Sequence, residues 1–259
     1  MRVEEIELFK QKALAWADGF DVCCYLDSNN YSDPYGEYDF LIAAGVADEL
    51  TCAVGNAFET WKAFYEVHKN WMFGFLSYDL KNEIENLESS NRDQLYFPDL
   101  YFFIPEYLIL GKAGEIKVII GGVDIVDSIH KIEIKSTVMM SSLKVKERME
   151  RQAYITSVAE MQEHILRGDI YEATFCQEFF ATHAAIDPVS VYLKLKELSP
   201  TPFSGYFKKD KNYILSATPE RFLCKRGRKL ISQPIKGTAK RSSDAIQDEQ
   251  HRTGLKNSA

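Results

Sequence analysis

Apolar and polar positions along the chain repeat with two different periods, which predicts a mixture of helices and strands. Residues 4–18 repeat at helical spacing and end at Gly19, and residues 57–70 show a second helical pattern. Shorter apolar runs predict β-strands in the segments FDVCCYLDSN, YDFLIAAGV, ELTCAVG and WMFGFLSYDL. The segment LYFFIPEYLILGKAGEIKVIIGG predicts a hairpin that turns at GKAGE.

The second half of the chain opens with another helix. Tyr154, Val158, Met161 and Ile165 share one helix face, and Gly168 stands where that helix would end. The segment DIYEATFCQEFFATH then predicts a strand, and DPVSVYLKLKEL predicts a helix with Asp187 as its N-cap. Further strands are predicted at residues 205–207, 213–217, 222–224 and 229–235, followed after Thr238 by a polar loop that enters a helix.

Composition narrows the class of protein. The chain has 259 residues, 46% of them hydrophobic, which suits one large domain or two small ones. A net charge of -7 argues against nucleic acid as the main partner. No apolar run reaches the roughly 18 residues of a membrane span, and the acidic start MRVEEIELFKQ does not suit a signal peptide. We therefore expect a cytoplasmic protein without a membrane partner.

Cysteine and histidine give no sign of a disulfide framework or a metal site. The five cysteines include no CxxC pair, and the five histidines are scattered without an HExxH motif. Small buried side chains are the simplest interpretation of the cysteines.

Three segments, in this order, carry a resemblance to a known family: GDIYEATFCQEF (168–179), SATPERFL (216–223) and PIKGTAKR (234–241). They resemble the chorismate-utilising enzymes, most densely over residues 150–245. The earlier segments YLDSN, GFLSYDLKNEIE and FPDLYFF are also similar to segments of that family. The resemblance implies an α+β fold with two large, mainly antiparallel sheets packed face to face and helices outside, incomplete in this chain. It divides the chain into an N-terminal region at 1–130 and the first half of a chorismate-binding region at 150–259.

Lys236 is the candidate catalytic residue. It stands among other cations and beside Gly237, and partial desolvation there would lower the pKa of its ammonium group and favour a nucleophilic amine. Within the family, the aminodeoxychorismate synthases (component I) carry lysine here, proposed to add to C2 of chorismate, whereas anthranilate synthases carry alanine. The alternative is a lysine that only holds a carboxylate or lies in solvent.

The candidate substrate-binding residues follow from the charge of chorismate, which is a dianion. Lys240, Arg241 and the backbone N–H groups around Gly237 and Thr238 could bind its carboxylates. At Gln177, the resemblance places a lysine base in the enzymes that add water to chorismate. Glutamine cannot act as that base near neutral pH, which favours an ammonia-using enzyme. A purely structural role for this glutamine remains an alternative.

A second candidate site is a tryptophan pocket. In relatives the segments matching YLDSN and SPTPFSGY frame such a pocket, whose walls here would be Leu26, Ser28, Pro202 and Phe203. Asp27 replaces a glutamate of the family. The alternative is a plain strand edge within the core.

The resemblance also implies partners and a cofactor. It implies chorismate as substrate, a glutamine amidotransferase subunit that supplies ammonia, and Mg²⁺ bound by carboxylates of a later part of the family fold. The general acid belongs to that later part too, so we expect no turnover from this chain alone. The other functions considered are anthranilate synthase component I and a non-catalytic module that binds tryptophan or a partner.

Overall fold

The computed structural model describes residues 3–134, 143–235 and 237–258. The helices are α1 (Val3–Ala17), α2 (Ala57–His68), α3 (Asp124–His130), α4 (Arg151–Arg167), α5 (Pro188–Leu198) and α6 (Ala245–Lys256), with a 3₁₀ helix at Tyr78–Glu83. The strands are β1 (Val22–Asp27), β2 (Phe40–Ala44), β3 (Asp48–Cys52), β4 (Phe73–Leu76), β5 (Leu100–Ile104), β6 (Tyr107–Lys112), β7 (Glu115–Ile120), β8 (Lys146–Glu147), β9 (Phe179–Phe180), β10 (Phe203–Lys209), β11 (Asn212–Thr218), β12 (Arg221–Arg226) and β13 (Lys229–Gln233). The chain divides into two compact units, one formed by Met1–Ile134 with Tyr192–Ala259 and the other by Lys135–Val191.

The first unit is built on a six-stranded antiparallel sheet. Its strand order is β11-β10-β1-β2-β6-β7. β1 pairs with β10 along its whole length, from Val22 opposite Lys209 to Asp27 opposite Ser204. Strands from both predicted regions therefore share one sheet, and the division of the chain into those two regions stays a prediction.

A second sheet packs against one face of the first. It has the strand order β3-β5-β4, and its Phe73, Tyr101 and Phe103 enter the same buried cluster as residues of β1, β2, β6 and β10. Phe207 of β10 meets the rings of both Tyr101 and Phe103 at about 6 Å between centroids. The predicted arrangement of antiparallel sheets packed face to face is thus confirmed, with three strands in the second sheet among the described residues.

One predicted hairpin is confirmed in part. β6 and β7 pair around the predicted turn, but β5 belongs to the other sheet. The chain changes sheets at Pro105, which has no backbone N–H to continue a ladder. At the end of β6, Gly111 lies opposite Phe40, whose ring would be 1.9 Å from a Cβ atom on the glycine.

The second unit contains α4, β8 and β9. α4 ends as predicted at Gly168, which adopts a left-handed conformation with φ of 84°. The strand predicted over residues 169–183 is wrong for most of its length, because only Phe179–Phe180 forms a strand, paired with Lys146–Glu147. The predicted helix at Pro188 is confirmed, and Asp187 accepts the Ser190 N–H at 3.2 Å as its cap.

Across the described segments, no helix has both the length and the apolar content that crossing a bilayer requires. The expected location in the cell stays a prediction.

Candidate functional site

The turn after β1 is built around the buried carboxylate of Asp27. The Asn29 N–H donates to Asp27 Oδ1 at 3.0 Å, which closes the chain into a tight turn and suits the left-handed backbone of Asn29 and Asn30. The Asn29 side-chain amide then donates to the Thr201 carbonyl at 2.7 Å. The YLDSN and SPTPFSGY segments are thereby joined directly.

A cavity of about 240 Å³ lies beside this turn. Its lining includes Leu26, Ser28, Pro202 and Phe203, the four residues named from the sequence as walls of a tryptophan pocket. Asp27 also lines it. The structure therefore brings these residues together around one space, while tryptophan as the occupant stays a prediction.

Asp27 is held by two lysines. Its side chain is buried, and its oxygens contact Lys10 Nζ at 3.0 Å, Lys196 Nζ, and the Tyr25 hydroxyl at 2.8 Å. Burial by itself would raise the pKa of Asp27, but the attraction of Lys196 and Lys10 outweighs burial and holds the pKa below its usual value. Asp27 therefore stays ionised inside the protein.

The SATPERFL segment contributes the guanidinium of Arg221 to the same cavity. Arg221 pairs with Asp33, donates to Gln233 at 2.8 Å and lies 4.9 Å from the centre of the Phe203 ring. Its neighbour Glu220 accepts the Ile235 N–H at 3.2 Å. Glu220 thus fastens the start of β12 to the backbone just before the predicted catalytic turn, which is a structural role.

The predicted catalytic lysine, Lys236, lies outside the described residues. On its far side Gly237, Thr238 and Lys240 are exposed. A Cβ atom on Gly237 would lie 3.1 Å from Leu255 Cδ1 of α6, so this glycine lets the turn approach the helix.

Arg241 is bound within the chain. Its guanidinium makes three contacts of 2.8–3.1 Å with the carboxylate of Asp248 in the first turn of α6. Hydrogen bonds from the Arg241 side chain and from the Ser242 N–H lower the pKa of Asp248 to about 2. A substrate carboxylate at Arg241 would have to share this guanidinium with Asp248.

Gln177 lies in the second unit. Its side-chain Nε2 donates to the Met149 carbonyl at 2.6 Å and is partly buried. This contact provides the structural role that was the alternative for Gln177, and its role toward substrate stays a prediction.

The resemblance implies that Mg²⁺ is bound by carboxylates of a later part of the family fold, and this stays a prediction. Among the described residues no group of three or more histidine, cysteine, aspartate or glutamate side chains is placed to hold a metal ion.

Sequence reasoning missed the two lysines that hold Asp27. Lys10 stands four residues after Ile6 on the apolar face of α1, and it is 1% exposed. A lysine at a core position of an amphipathic helix is the signal that could have indicated a buried ion pair. Lys196 of α5 gave no comparable signal.

Comparison with known proteins gives a family and a fold. A family described as chorismate binding enzyme matches residues 21–259. An anthranilate synthase component I-like protein from Synechocystis is 28% identical over 71% of this chain and 39% of its own length. The aminodeoxychorismate synthase component 1 of Escherichia coli is 26% identical over 72% of this chain and 42% of its own length. This chain thus spans less than half of either relative.

Solved structures support the same fold. The menaquinone-specific isochorismate synthase of Escherichia coli superposes with a TM-score of 0.63, covering 95% of this chain and 56% of that one. At 13% identity this similarity bears on the fold alone.

Proposed function

The chain belongs to the family of chorismate-binding enzymes, and from this premise we propose that it is part of an aminodeoxychorismate synthase component I. Such an enzyme converts chorismate and ammonia to 4-amino-4-deoxychorismate, toward p-aminobenzoate and folate. A glutamine amidotransferase subunit would supply the ammonia.

The observation that carries the proposal is the lysine of PIKGT, Lys236. In the proposed mechanism, the neutral amine of Lys236 adds to C2 of chorismate, and the C4 hydroxyl leaves as water once it is protonated. Ammonia then adds to C4, the bond between lysine and C2 breaks, and the free lysine is regenerated. Gln177 supports ammonia as the nucleophile, because an amide side chain cannot deprotonate water near pH 7.

The contacts on either side of Lys236 suit a catalytic role for the turn that contains it. Glu220 holds the backbone on its near side through Ile235, and α6 packs against Gly237 on its far side. Lys240 and Arg241 place two cations shortly after the turn, which suits a dicarboxylate substrate. The resemblance implies that the general acid and the Mg²⁺-binding carboxylates belong to a later part of the family fold, so we expect no turnover from residues 1–259 alone.

The second enzymatic candidate is anthranilate synthase component I, which the name of the Synechocystis relative favours. Growth of two auxotrophs separates the candidates. The complete reading frame that encodes this chain is expressed in one strain that requires p-aminobenzoate and in another that requires tryptophan because it lacks anthranilate synthase.

We expect rescue of the p-aminobenzoate auxotroph alone, and loss of rescue in the Lys236→Ala variant. A Lys240→Ala variant in the same segment serves as the control and should retain partial rescue. Rescue of the tryptophan auxotroph, with anthranilate accumulating in the medium, would instead establish the second candidate. Full rescue by Lys236→Ala would exclude the lysine mechanism.

A further inference from the structure

We propose that the cavity beside the β1 turn binds a small aromatic carboxylic acid that carries no ammonium group. The cavity is the one lined by Leu26, Ser28, Pro202 and Phe203. The inference does not rest on the proposed catalytic activity, because it concerns a different site.

Asp27 has no acceptor position left for a ligand. Its Oδ1 accepts from Lys10 Nζ and from the Asn29 N–H, both at 3.0 Å. Its Oδ2 accepts from the Tyr25 hydroxyl at 2.8 Å and contacts Lys196 Nζ. An ionised carboxylate offers about four lone-pair positions, and the protein uses all of them. A ligand ammonium could bind Asp27 only by displacing one of these donors.

The three other acidic side chains of the cavity are paired as well. Asp33 pairs with Arg221, Glu37 lies 3.2 Å from Arg226, and Asp39 lies 3.2 Å from Lys112. A ligand ammonium would have to compete with one of these cations for its carboxylate. The Asp33–Arg221 pair is largely buried, and separating it would leave a charge without compensation. The other two pairs are partly exposed, so they are weaker barriers. The selection against ammonium groups therefore comes mainly from Asp27 and Asp33.

Two donor atoms of the cavity lining have no acceptor among the described residues. The buried Ser28 Oγ and Arg226 Nε have no hydrogen-bond partner within the described part of the chain. Arg226 Nε is within ion-pair distance of Glu37, but the geometry is not that of a hydrogen bond. The guanidinium can only donate, and the serine hydroxyl can donate. A ligand that supplies an acceptor oxygen could satisfy either atom.

The remaining walls suit a flat apolar body. Leu26 and Phe203 line the cavity, and the Arg221 guanidinium lies over the Phe203 ring. A volume of about 240 Å³ lies slightly below the roughly 300–1,000 Å³ of most small-molecule pockets, which suits a small ligand. An aromatic ring with a carboxylate matches the apolar wall, the two unsatisfied donors and the absence of a free anion among the described lining residues.

Calorimetric titration of the chain with three related probes tests this inference. The probes are indole-3-propionate, tryptophan and tryptamine, which share an indole ring and differ in the carboxylate and the ammonium group. We expect indole-3-propionate to bind at least about tenfold more tightly than tryptophan, equivalent to about 1.4 kcal/mol. Tryptamine should bind most weakly.

Three variants connect the preference to the structure. Lys196→Met frees one acceptor position on Asp27, and it should raise the affinity for tryptophan relative to indole-3-propionate by about tenfold. Lys194→Met is the matched control on the same helix, since Lys194 is exposed and pairs with Glu197 at 2.7 Å. It should leave the ratio unchanged. Arg226→Lys removes the Nε donor and should weaken indole-3-propionate severalfold.

Two results with the unmodified chain would overturn the inference: tryptophan binding at least as tightly as indole-3-propionate, or no binding by either probe. An unchanged ratio in folded Lys196→Met, judged by thermal unfolding, would overturn it as well. If Lys196→Met does not fold, the deciding variant is Arg226→Lys, in which unchanged affinity for indole-3-propionate would also overturn the inference.

Discussion

Replacing Asp27 with asparagine measures how much the buried charge cluster contributes to stability. The substitution keeps the size of the side chain and removes the negative charge shared by Lys10 and Lys196. Lys10 is 1% exposed, so its ammonium cannot turn to water. Removing one partner of a buried ion pair costs about 3–5 kcal/mol. Glu7 stays within 2.7 Å of Lys10 and 3.3 Å of Lys196, so we expect the lower end, about 3 kcal/mol.

Chemical and thermal unfolding followed by circular dichroism measure this loss. For a chain of this size, about 3 kcal/mol corresponds to a fall in Tm of about 6–12 °C. Asp210→Asn is the matched control, because Asp210 is exposed and lies 3.5 Å from Lys209. Its cost should be within about 0.5 kcal/mol of zero. A loss below about 1 kcal/mol in Asp27→Asn would refute this expectation, since two largely buried lysines that share only Glu7 as a counter-charge should cost more than that.

The pH dependence of the unfolding free energies of wild type and Asp27→Asn tests the direction in which folding shifts the pKa of Asp27. The pKa of Asp27 is lower in the folded protein than its usual value, because the attraction of Lys196 and Lys10 outweighs the effect of burial. Its contribution is therefore complete above the unfolded pKa, near 4, and is lost as the pH falls through the folded pKa. The difference in unfolding free energy between wild type and Asp27→Asn should narrow below about pH 4. A difference that stays constant from pH 7 to pH 3 would contradict this assignment.

Two further substitutions test separate parts of the structure. Gly111→Ala places a Cβ atom 1.9 Å from the Phe40 ring and should lower the free energy of unfolding, measured in urea, by about 1–3 kcal/mol. A neutral result would show that Phe40 does not cover this glycine. Arg241→Gln removes the side-chain hydrogen bonds that help to lower the pKa of Asp248 to about 2. NMR titration of that carboxylate should therefore show a pKa closer to its usual value. An unchanged pKa would mean that the pair does not form in solution.

Much of the first unit could be predicted from the sequence, because its elements carry their own local signals. α1 follows a helical repeat up to Gly19, and the β6–β7 hairpin follows from strand patterns around a glycine-containing turn. Both depend on residues close together in the chain. The sheet to which β5 belongs could not be predicted in this way, because sheet membership depends on partners far away in sequence.

The strand predicted after Gly168 fails for a related reason. A segment with strand-forming residues makes a strand only where another strand can pair with it. Among the described residues only Lys146–Glu147 pairs with that segment, at Phe179–Phe180. Tyr171 is 91% exposed and Phe179 is 61% exposed, so these two apolar side chains do not cover a buried surface.

The charges around the candidate sites could not be predicted from the sequence for the same reason, because they depend on residues far away in the chain. The resemblance names Leu26, Ser28, Pro202 and Phe203 as the walls of one pocket. The β1–β10 register brings the two distant segments together, and these residues line one cavity. The resemblance described Asp27 only as a replacement for a glutamate of the family. Whether that carboxylate can bind a ligand depends on Lys10 of α1 and Lys196 of α5, which reach it from two helices. A motif records the acid but not its counter-charges, so a ligand inferred from the motif alone assumes a free carboxylate that the folded chain has already neutralised.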